Sequence, residues 1–395
     1  MSVSQPQPKP LSLAFIGGSI ASAVGYTHNV ASQMDHRWVL VAGCFSTRTV
    51  INQETGERWG LSPDRVYADW QTLLRKEKGR VDAVVVLTPT PSHAEIVKAA
   101  LRAGFPVICE KALATTREEV LGIQKVVESA EGFLAVTYNY SGYPMLRELR
   151  EKIQAGDLGE ILQILVEMPQ EGFIRTGIGG ERPQPQSWRL QDGAIPTIYL
   201  DLAVHLHHLN YFLTGRHPVK VVADQDSHGW FDGVIDNVSC MLRYDDGMQG
   251  HMWYSKSALG YRNGLKVRVF GRRGSAEWLQ TNPEELFVNH TDGRREILDR
   301  AGSVRLSGMS RYERFKAGHP AGFIEAFGNL YVDLADAVLA FRNGLPSHSP
   351  HVFGVSHAAA GMTLLEAIVC SAREEKWIHI EPQEGQNDDR ERNRD

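Results

Sequence analysis

The sequence is poor in cysteine: among 395 residues there are four, Cys44, Cys109, Cys240 and Cys370, far apart and without a CxxC pair. That scarcity excludes a disulfide-stapled scaffold and fits a reducing cytoplasm. Long apolar runs are also missing, since no window approaches the roughly 18 apolar residues of a membrane span. The opening MSVSQPQPKP lacks the charged start and apolar core of a signal peptide, so residues 1–10 are expected to form a flexible leader. No strong charge bias exists either. A net charge of -5 provides no field that would hold nucleic acid or anionic lipid, and neither is expected as a partner.

What the chain does have is a core. Hydrophobic residues make up 42% and charged residues 23%, the composition of a folded globular protein. The length exceeds one typical domain and predicts two. The last residues, 383–395, are polar with no apolar periodicity and are expected to be disordered.

The first half alternates apolar runs with helical stretches, the pattern of βαβ units and a parallel sheet. Strands are predicted at Leu11 to Ile16, Trp38 to Cys44, Ala83 to Leu87, Pro106 to Cys109 and Phe133 to Thr137. Between them Ile96, Val97, Ala100 and Leu101 recur at helical spacing. These features predict a Rossmann-type domain over 11–140. After it come a helix from Met145 to Ala155, a strand from Ile161 to Met168, a Gly-, Pro- and Arg-rich loop from Gly172 to Asp192, and a helix near Ile198 to Leu213. Strand candidates with turns at 245–247 and 271–274 follow, then helices near Phe323 to Phe341 and Ser356 to Cys370. The fold class expected is α/β, with a second domain over 141–382 built on an open mixed, mainly antiparallel sheet.

A strand that runs into Gly17-Gly18-Ser19 and then a helix is the context for phosphate binding, because glycine lets the backbone approach a pyrophosphate at a helix N-terminus. The usual GxGxxG spacing would require glycines at 19 and 22, where Ser19 and Ser22 stand. The acidic residue that would meet the ribose hydroxyls of NAD is absent after the second strand; Ser46, Thr47 and Arg48 stand there and suit a 2′-phosphate. NAD(P) is the expected cofactor, with NAD and NADP both open. A plain βα turn and a solvated loop are the competing readings of these two segments.

Thr88-Pro89-Thr90-Pro91-Ser92-His93 follows the third strand and opens a helix, and Glu110-Lys111-Ala112 follows the fourth. With the glycine pair and Asp201-Leu202-Ala203-Val204-His205 on a second-domain helix, these pieces, in this order, resemble the glucose-fructose oxidoreductase, inositol dehydrogenase and rhizopine-catabolism family. The family shows Glu-Lys-Pro and Asp-x-Gly-x-His where this chain has Ala112 and Ala203. The resemblance covers nearly the whole folded chain. It implies a Rossmann domain followed by an α/β domain with a large open sheet that often mediates homo-oligomers.

By that resemblance Lys111 sits beside the nicotinamide and hydrogen-bonds the reacting hydroxyl, where an ammonium stabilises developing negative charge. His205 is the expected general base in oxidation and acid in reduction. Asp201, four residues earlier on a predicted helix, shares its face and orients the ring or binds a neighbouring hydroxyl. Gly17, Gly18, Ser19, Ser46, Thr47, Arg48, Thr88, Pro89, His93, Glu110, Lys111 and Asn139 are the expected cofactor contacts. An ordinary interfacial helix is the competing reading of the histidines at 205–208. No metal is expected, because partners at ligand spacing are not evident.

Tyr138 and Tyr143 near the end of the last Rossmann strand, and Arg175, Trp188 and Arg189 in the 172–192 loop, are candidate substrate contacts. Aromatic faces pack on sugar C–H bonds, donors fix hydroxyls, and several arginines pair an anionic substituent. His319, in Lys316-Ala317-Gly318-His319-Pro320, is another candidate, and Arg182, Lys256 and Arg262 stand in the same region. The expected function is NAD(P)-dependent hydride transfer at a hydroxyl-bearing carbon of a sugar or cyclic polyol, with or without an anionic group. The alternatives are an NAD-dependent glycosidase, which oxidises a sugar transiently, eliminates the aglycone, adds water and re-reduces the ring, and a nonenzymatic dinucleotide-binding regulator.

Overall fold

The computed structural model describes residues 9–346 and 349–381. The expected tail at 383–395, and the leader apart from Lys9 and Pro10, lie outside the described residues.

The apolar runs of the first half form β1 (Leu11–Gly17), β2 (Trp38–Cys44), β3 (Ala83–Leu87), β4 (Val107–Glu110) and β5 (Leu134–Thr137). Helices α1 (Ala23–Gln33), α2 (Thr49–Arg58), α3 (Trp70–Glu77), α4 (His93–Arg102) and α5 (Arg117–Ser129) alternate with them. The strands make one parallel sheet in the order β2-β1-β3-β4-β5. A parallel sheet covered on both faces selects continuous apolar strands, and every residue of β3 is buried. The strand order reverses between β1 and β3, and ligands of such sheets bind outside the carboxyl ends at that point.

Beyond this sheet lie α6 (Pro144–Gln154), β6 (Ile161–Pro169), α7 (Val204–Thr214), β7 (Lys220–Asp226), β8 (Asn237–Arg243), β9 (Gln249–Ser255), β10 (Lys266–Gly271), β11 (Gly274–Leu279), β12 (Asn282–His290) and β13 (Arg295–Leu298). Two long helices, α8 (Phe323–Arg342) and α9 (Val355–Glu374), and the short β14 (Ile378–His379) follow among the described residues. The second sheet has nine strands in the order β13-β12-β11-β10-β6-β9-β8-β7-β14. Only β6 and β9 run parallel; the other neighbours are antiparallel. Burial alternates along β8, with Val238, Cys240 and Leu242 inside, as expected of a strand with one face covered. The expected turn at 245–247 joins β8 to β9 with Gly247 at φ +89, a conformation that glycine adopts without steric cost.

Two expectations are corrected. The helix near 198–213 is not regular: it opens with a π-helical turn over Tyr199–Ala203 before α7. Asp201 is the middle residue of that turn, a feature that often marks functional sites. The second domain also does not run unbroken over 141–382. Contacts divide the chain into two compact units, and Phe323–Ala358 belongs to the first. Periodicity reveals that α8 has an apolar face but not which sheet it covers. Phe327, Leu330, Tyr331, Leu334, Ala335 and Val338 pack into the cluster that holds Leu13, Phe15, Trp38 and Val85. The Trp38 indole N–H donates to the Tyr331 carbonyl at 2.8 Å. Helix α9 is long and apolar enough to cross a membrane, yet 67% of its most apolar window is buried in the protein, as in a core helix.

Candidate active site

In the first unit the glycine turn closes β1. Gly17 and Gly18 have φ of +83 and +73, backbone that side chains with a Cβ rarely adopt. A Cβ on Gly17 would also lie 2.7 Å from Thr88 N, so this turn and the Thr88 segment touch. Gly25, in the first turn of α1, is the glycine that the expected spacing missed. An added Cβ there would overlap the Gly18 carbonyl, so the helix start rests directly on the turn. Ser22 caps α1 by accepting from the Gly25 N–H at 3.2 Å. Three glycines therefore build the turn at a spacing unlike GxGxxG: Gly17 and Gly18 are adjacent, and Gly25 follows at the helix start. The signal was a glycine at the start of the helix, wherever the spacing put it.

After β2, the Asn52 amide oxygen accepts from Phe45 N at 2.7 Å and Ser46 N at 3.4 Å, which shapes the loop. Thr47 and Arg48 are exposed at its tip. After β3, Ser92 Oγ donates to Thr88 Oγ1 at 2.8 Å and Pro89 is exposed. Asn139, just beyond β5, is buried with its side-chain nitrogen lacking a hydrogen-bond partner. A glycine cradle at a helix start and an orphaned amide donor at the carboxyl end of the same sheet fit a dinucleotide, with the pyrophosphate on the turn and the amide available to the other end.

Two expected cofactor contacts are engaged within the protein. His93 is 1% exposed, and its ring nitrogens face the Ala112 carbonyl at 2.9 Å and the Thr88 carbonyl at 2.6 Å. Its ring joins the Thr88 segment to the turn at Ala112. Burial pushes its pKa below the ordinary histidine range, against the pull of the two carbonyls. Glu110 is buried too: Oε1 accepts from Thr137 Oγ1 at 2.5 Å and faces His28 Nε2 at 2.9 Å, while Oε2 accepts the Lys111 N–H at 3.1 Å. Burial pushes the Glu110 carboxyl up, but His28, Lys111 and Thr137 together bring it below the usual range. Lys111 itself is half-buried, and its bond to Ala112 is cis. Tyr138 is buried with its ring edge-on to His357 at 5.2 Å.

In the second unit a cavity of about 410 Å³ is lined by Gln170, Phe173, Pro183, Arg189, Asp201 and Lys256, among others. Asp201 Oδ2 lies 2.5 Å from Arg189 Nη1 and 2.7 Å from Lys256 Nζ. Lys256 is 4% exposed, and its ammonium stands 4.8 Å over the Phe173 ring. Cations on both sides hold the Asp201 carboxylate in place as an acceptor. His205 is the second residue of α7 and is 5% exposed. The Arg189 guanidinium also stacks on Trp188 at 4.5 Å.

Other expected substrate contacts have partners within the protein. Tyr143 is 1% exposed against Trp278, and its hydroxyl accepts from Gln280 Nε2 at 3.3 Å, which makes it a core residue. Arg175 pairs with Glu171 at 3.4 Å, as does Arg262 at 2.6 Å. Arg182 stacks on Trp230. His319 is exposed, its ring against Phe315 and its carbonyl accepting from Arg300 Nη2 at 3.0 Å.

Residues 11–138 match the oxidoreductase family with an NAD-binding Rossmann fold, and residues 146–277 match the GFO/IDH/MocA C-terminal domain. The chain is 32% identical over 346 residues to the uncharacterized oxidoreductase YfiI of Bacillus subtilis, covering 84% of this chain and 86% of that one. It is 26% identical to levoglucosan dehydrogenase of Pseudarthrobacter phenanthrenivorans, over 94% of this chain and 98% of the other. Among solved structures, an inositol dehydrogenase homolog of Azotobacter vinelandii complexed with NADH and myo-inositol superposes with a TM-score of 0.84 at 28% identity, covering 94% of this chain and 98% of that one. A glycine cradle, a lysine turn and an Asp–His helix, carried on these two sheets and matched along nearly the whole chain, place this protein in the GFO/IDH/MocA family of NAD-binding oxidoreductases.

Proposed function

We propose that the chain is an NAD(P)-dependent dehydrogenase of a sugar or cyclic polyol, with Lys111, Asp201 and His205 as its catalytic residues. The observation that carries this reading is the Asp201 carboxylate fixed by Arg189 and Lys256 at the wall of a cavity. Phe173, Pro183 and Pro185 offer apolar faces to ring C–H bonds, and Gln170 and Gln184 offer amides to hydroxyls. Asp201 accepts a substrate hydroxyl proton in a hydrogen bond. Lys111 donates to the oxygen whose negative charge grows, and His205 takes that oxygen's proton. Bound nicotinamide supplies the hydride acceptor. Inositol and levoglucosan dehydrogenases among the similar proteins support the substrate class.

Finer features belong to the same proposal. Ser46, Thr47 and Arg48 suit a nucleotide 2′-phosphate and so favour NADP as an alternative to NAD. Arg189 and Lys256 suit a substrate with an anionic substituent. Met241, Phe270 and Ile297, exposed on strands of the second sheet, support self-association through its open face. Four free cysteines support a cytoplasmic setting.

The test is a steady rise of reduced-nicotinamide absorbance with NAD or NADP and a panel of myo-inositol, levoglucosan and D-glucose. Lys111→Ala should lower it by roughly 100-fold or more, the scale of losing one stabilising donor. Wild-type rates in Lys111→Ala would refute the assignment. Release of an aglycone from an aryl glycoside without net cofactor reduction would replace dehydrogenation by the glycosidase reaction.

A further inference from the structure

The first unit holds a buried polar chain that neither the cofactor turn nor the proposed chemistry uses directly. His28 lies on α1 one turn beyond Gly25 and is fully buried. Its Nδ1 faces the Tyr331 hydroxyl on α8 at 2.7 Å, and its Nε2 faces Glu110 Oε1 at the end of β4 at 2.9 Å. Phe327 packs edge-on against the ring at 4.8 Å. If Tyr331 donates to Nδ1, the Nε2–H remains to donate to the carboxylate, and every polar atom in the chain is satisfied.

The output of this chain is a backbone group. Glu110 Oε1 takes His28 and Thr137, which leaves Oε2 to accept the Lys111 N–H. Glu110 and Thr137 face one another across the β4–β5 register, so the sheet fixes one side of the carboxylate and α1 fixes the other. His93, bonded to the Ala112 carbonyl, holds the same turn from its far side. A buried carboxylate is costly unless each lone pair has a donor, so removing one donor affects its position and its charge together.

We propose that His28 is a positioning residue: through Glu110 it fixes the backbone of Lys111 and ties the helix that starts on the glycine cradle to the turn that carries the lysine. The role rests on the proposed catalytic function of Lys111. The coupling links sites far apart in sequence through one ring, and it makes the lysine's placement depend on where α1 sits.

The test compares full-length wild type with His28→Leu, which removes both ring nitrogens, His28→Gln, which can return a donor to Glu110, and Tyr331→Phe, which leaves His28 in place but removes its aligning hydroxyl. Hydrogen exchange of the peptide spanning Glu110 to Ala114 is read against one from β3, with NADH affinity and turnover of the best sugar measured in parallel. Expected are faster exchange confined to the Lys111 peptide in His28→Leu, a kcat at least ~10-fold lower with sugar KM and NADH Kd little changed, and partial recovery in His28→Gln. Tyr331→Phe should fall between. Unchanged exchange at Lys111 in His28→Leu and Tyr331→Phe would overturn the proposal, as would equal losses of kcat and NADH affinity in every variant with no rescue. If wild type turns over no sugar, the proposed function fails alone, because the exchange measurement needs no reaction.

Discussion

Gly25 packs against Gly18 so closely that a methyl group on Gly25 would overlap the Gly18 carbonyl. Gly25→Ala therefore must move either the glycine turn or the start of α1. Overpacking of this kind costs about 1–3 kcal/mol, or roughly 10- to 100-fold in affinity where it disturbs the cradle. NADH titration by fluorescence checks it. Gly122→Ala, in α5 with nothing within 4 Å of an added Cβ, is the control and should raise stability by about 0.4–1 kcal/mol.

Asp201 stands between two cations, one of them almost fully buried. Asp201→Ala leaves Lys256 without this carboxylate and should cost about 1–3 kcal/mol in denaturant unfolding, besides lowering kcat/KM. Asp201→Asn keeps an acceptor and should cost less. Equal stability of wild type and Asp201→Ala would show that the cluster adds nothing to the fold.

Arg300, 3% exposed, donates through Nε to Glu284 at 2.8 Å and through its terminal nitrogens to the carbonyls of Tyr312 and His319. Glu284 Oε1 in turn accepts the Ala321 N–H at 2.9 Å. Breaking a buried pair of this kind costs about 3–5 kcal/mol, so Arg300→Met should lower the melting temperature well beyond His319→Ala, whose side chain is exposed. Thermal melts of the two variants side by side decide it.

His208 is fully buried, and burial, followed by the charges of His207 and Arg150, holds its pKa well below 6.5. The unfolded chain then binds a proton at this position before the folded one does. Stability from His208 is present above the unfolded value of about 6.5 and is lost as pH falls below it, by about 1.4 kcal/mol per pH unit until the folded group titrates. His208→Phe should flatten the dependence of unfolding free energy on pH between about 7.5 and 5.5. An unchanged slope would assign the acid sensitivity to other groups, His93 among them.

The β1–β5 sheet was legible because strands buried on both faces read as unbroken apolar runs, and Lys111, Asp201 and His205 stood out through their motif context. Gly25 escaped because the loop after Gly18 is longer than the spacing assumed. The π-helical turn at Tyr199–Ala203 escaped because apolar periodicity over so few residues does not separate it from an α-helix. His28 and Tyr331 looked like two unrelated helix residues, and the pairing of Lys256 with Asp201 depends on tertiary contact that local patterns do not carry. The packing of Tyr143 against Trp278 was likewise invisible, because its place after the last Rossmann strand says nothing of a neighbour so far along the chain.

The return of α8 to the first unit has a consequence for how this protein can be divided. A fragment that stops at Gly142 would contain every strand of the parallel sheet, yet Leu13, Phe15 and Trp38 would lose the apolar cover of Leu330, Tyr331 and Leu334. The nucleotide-binding half is thus completed only when α8 is present. Excision or domain exchange should succeed only with the 323–358 segment carried along, because the unit draws on chain segments that synthesis separates by the whole of residues 143–322.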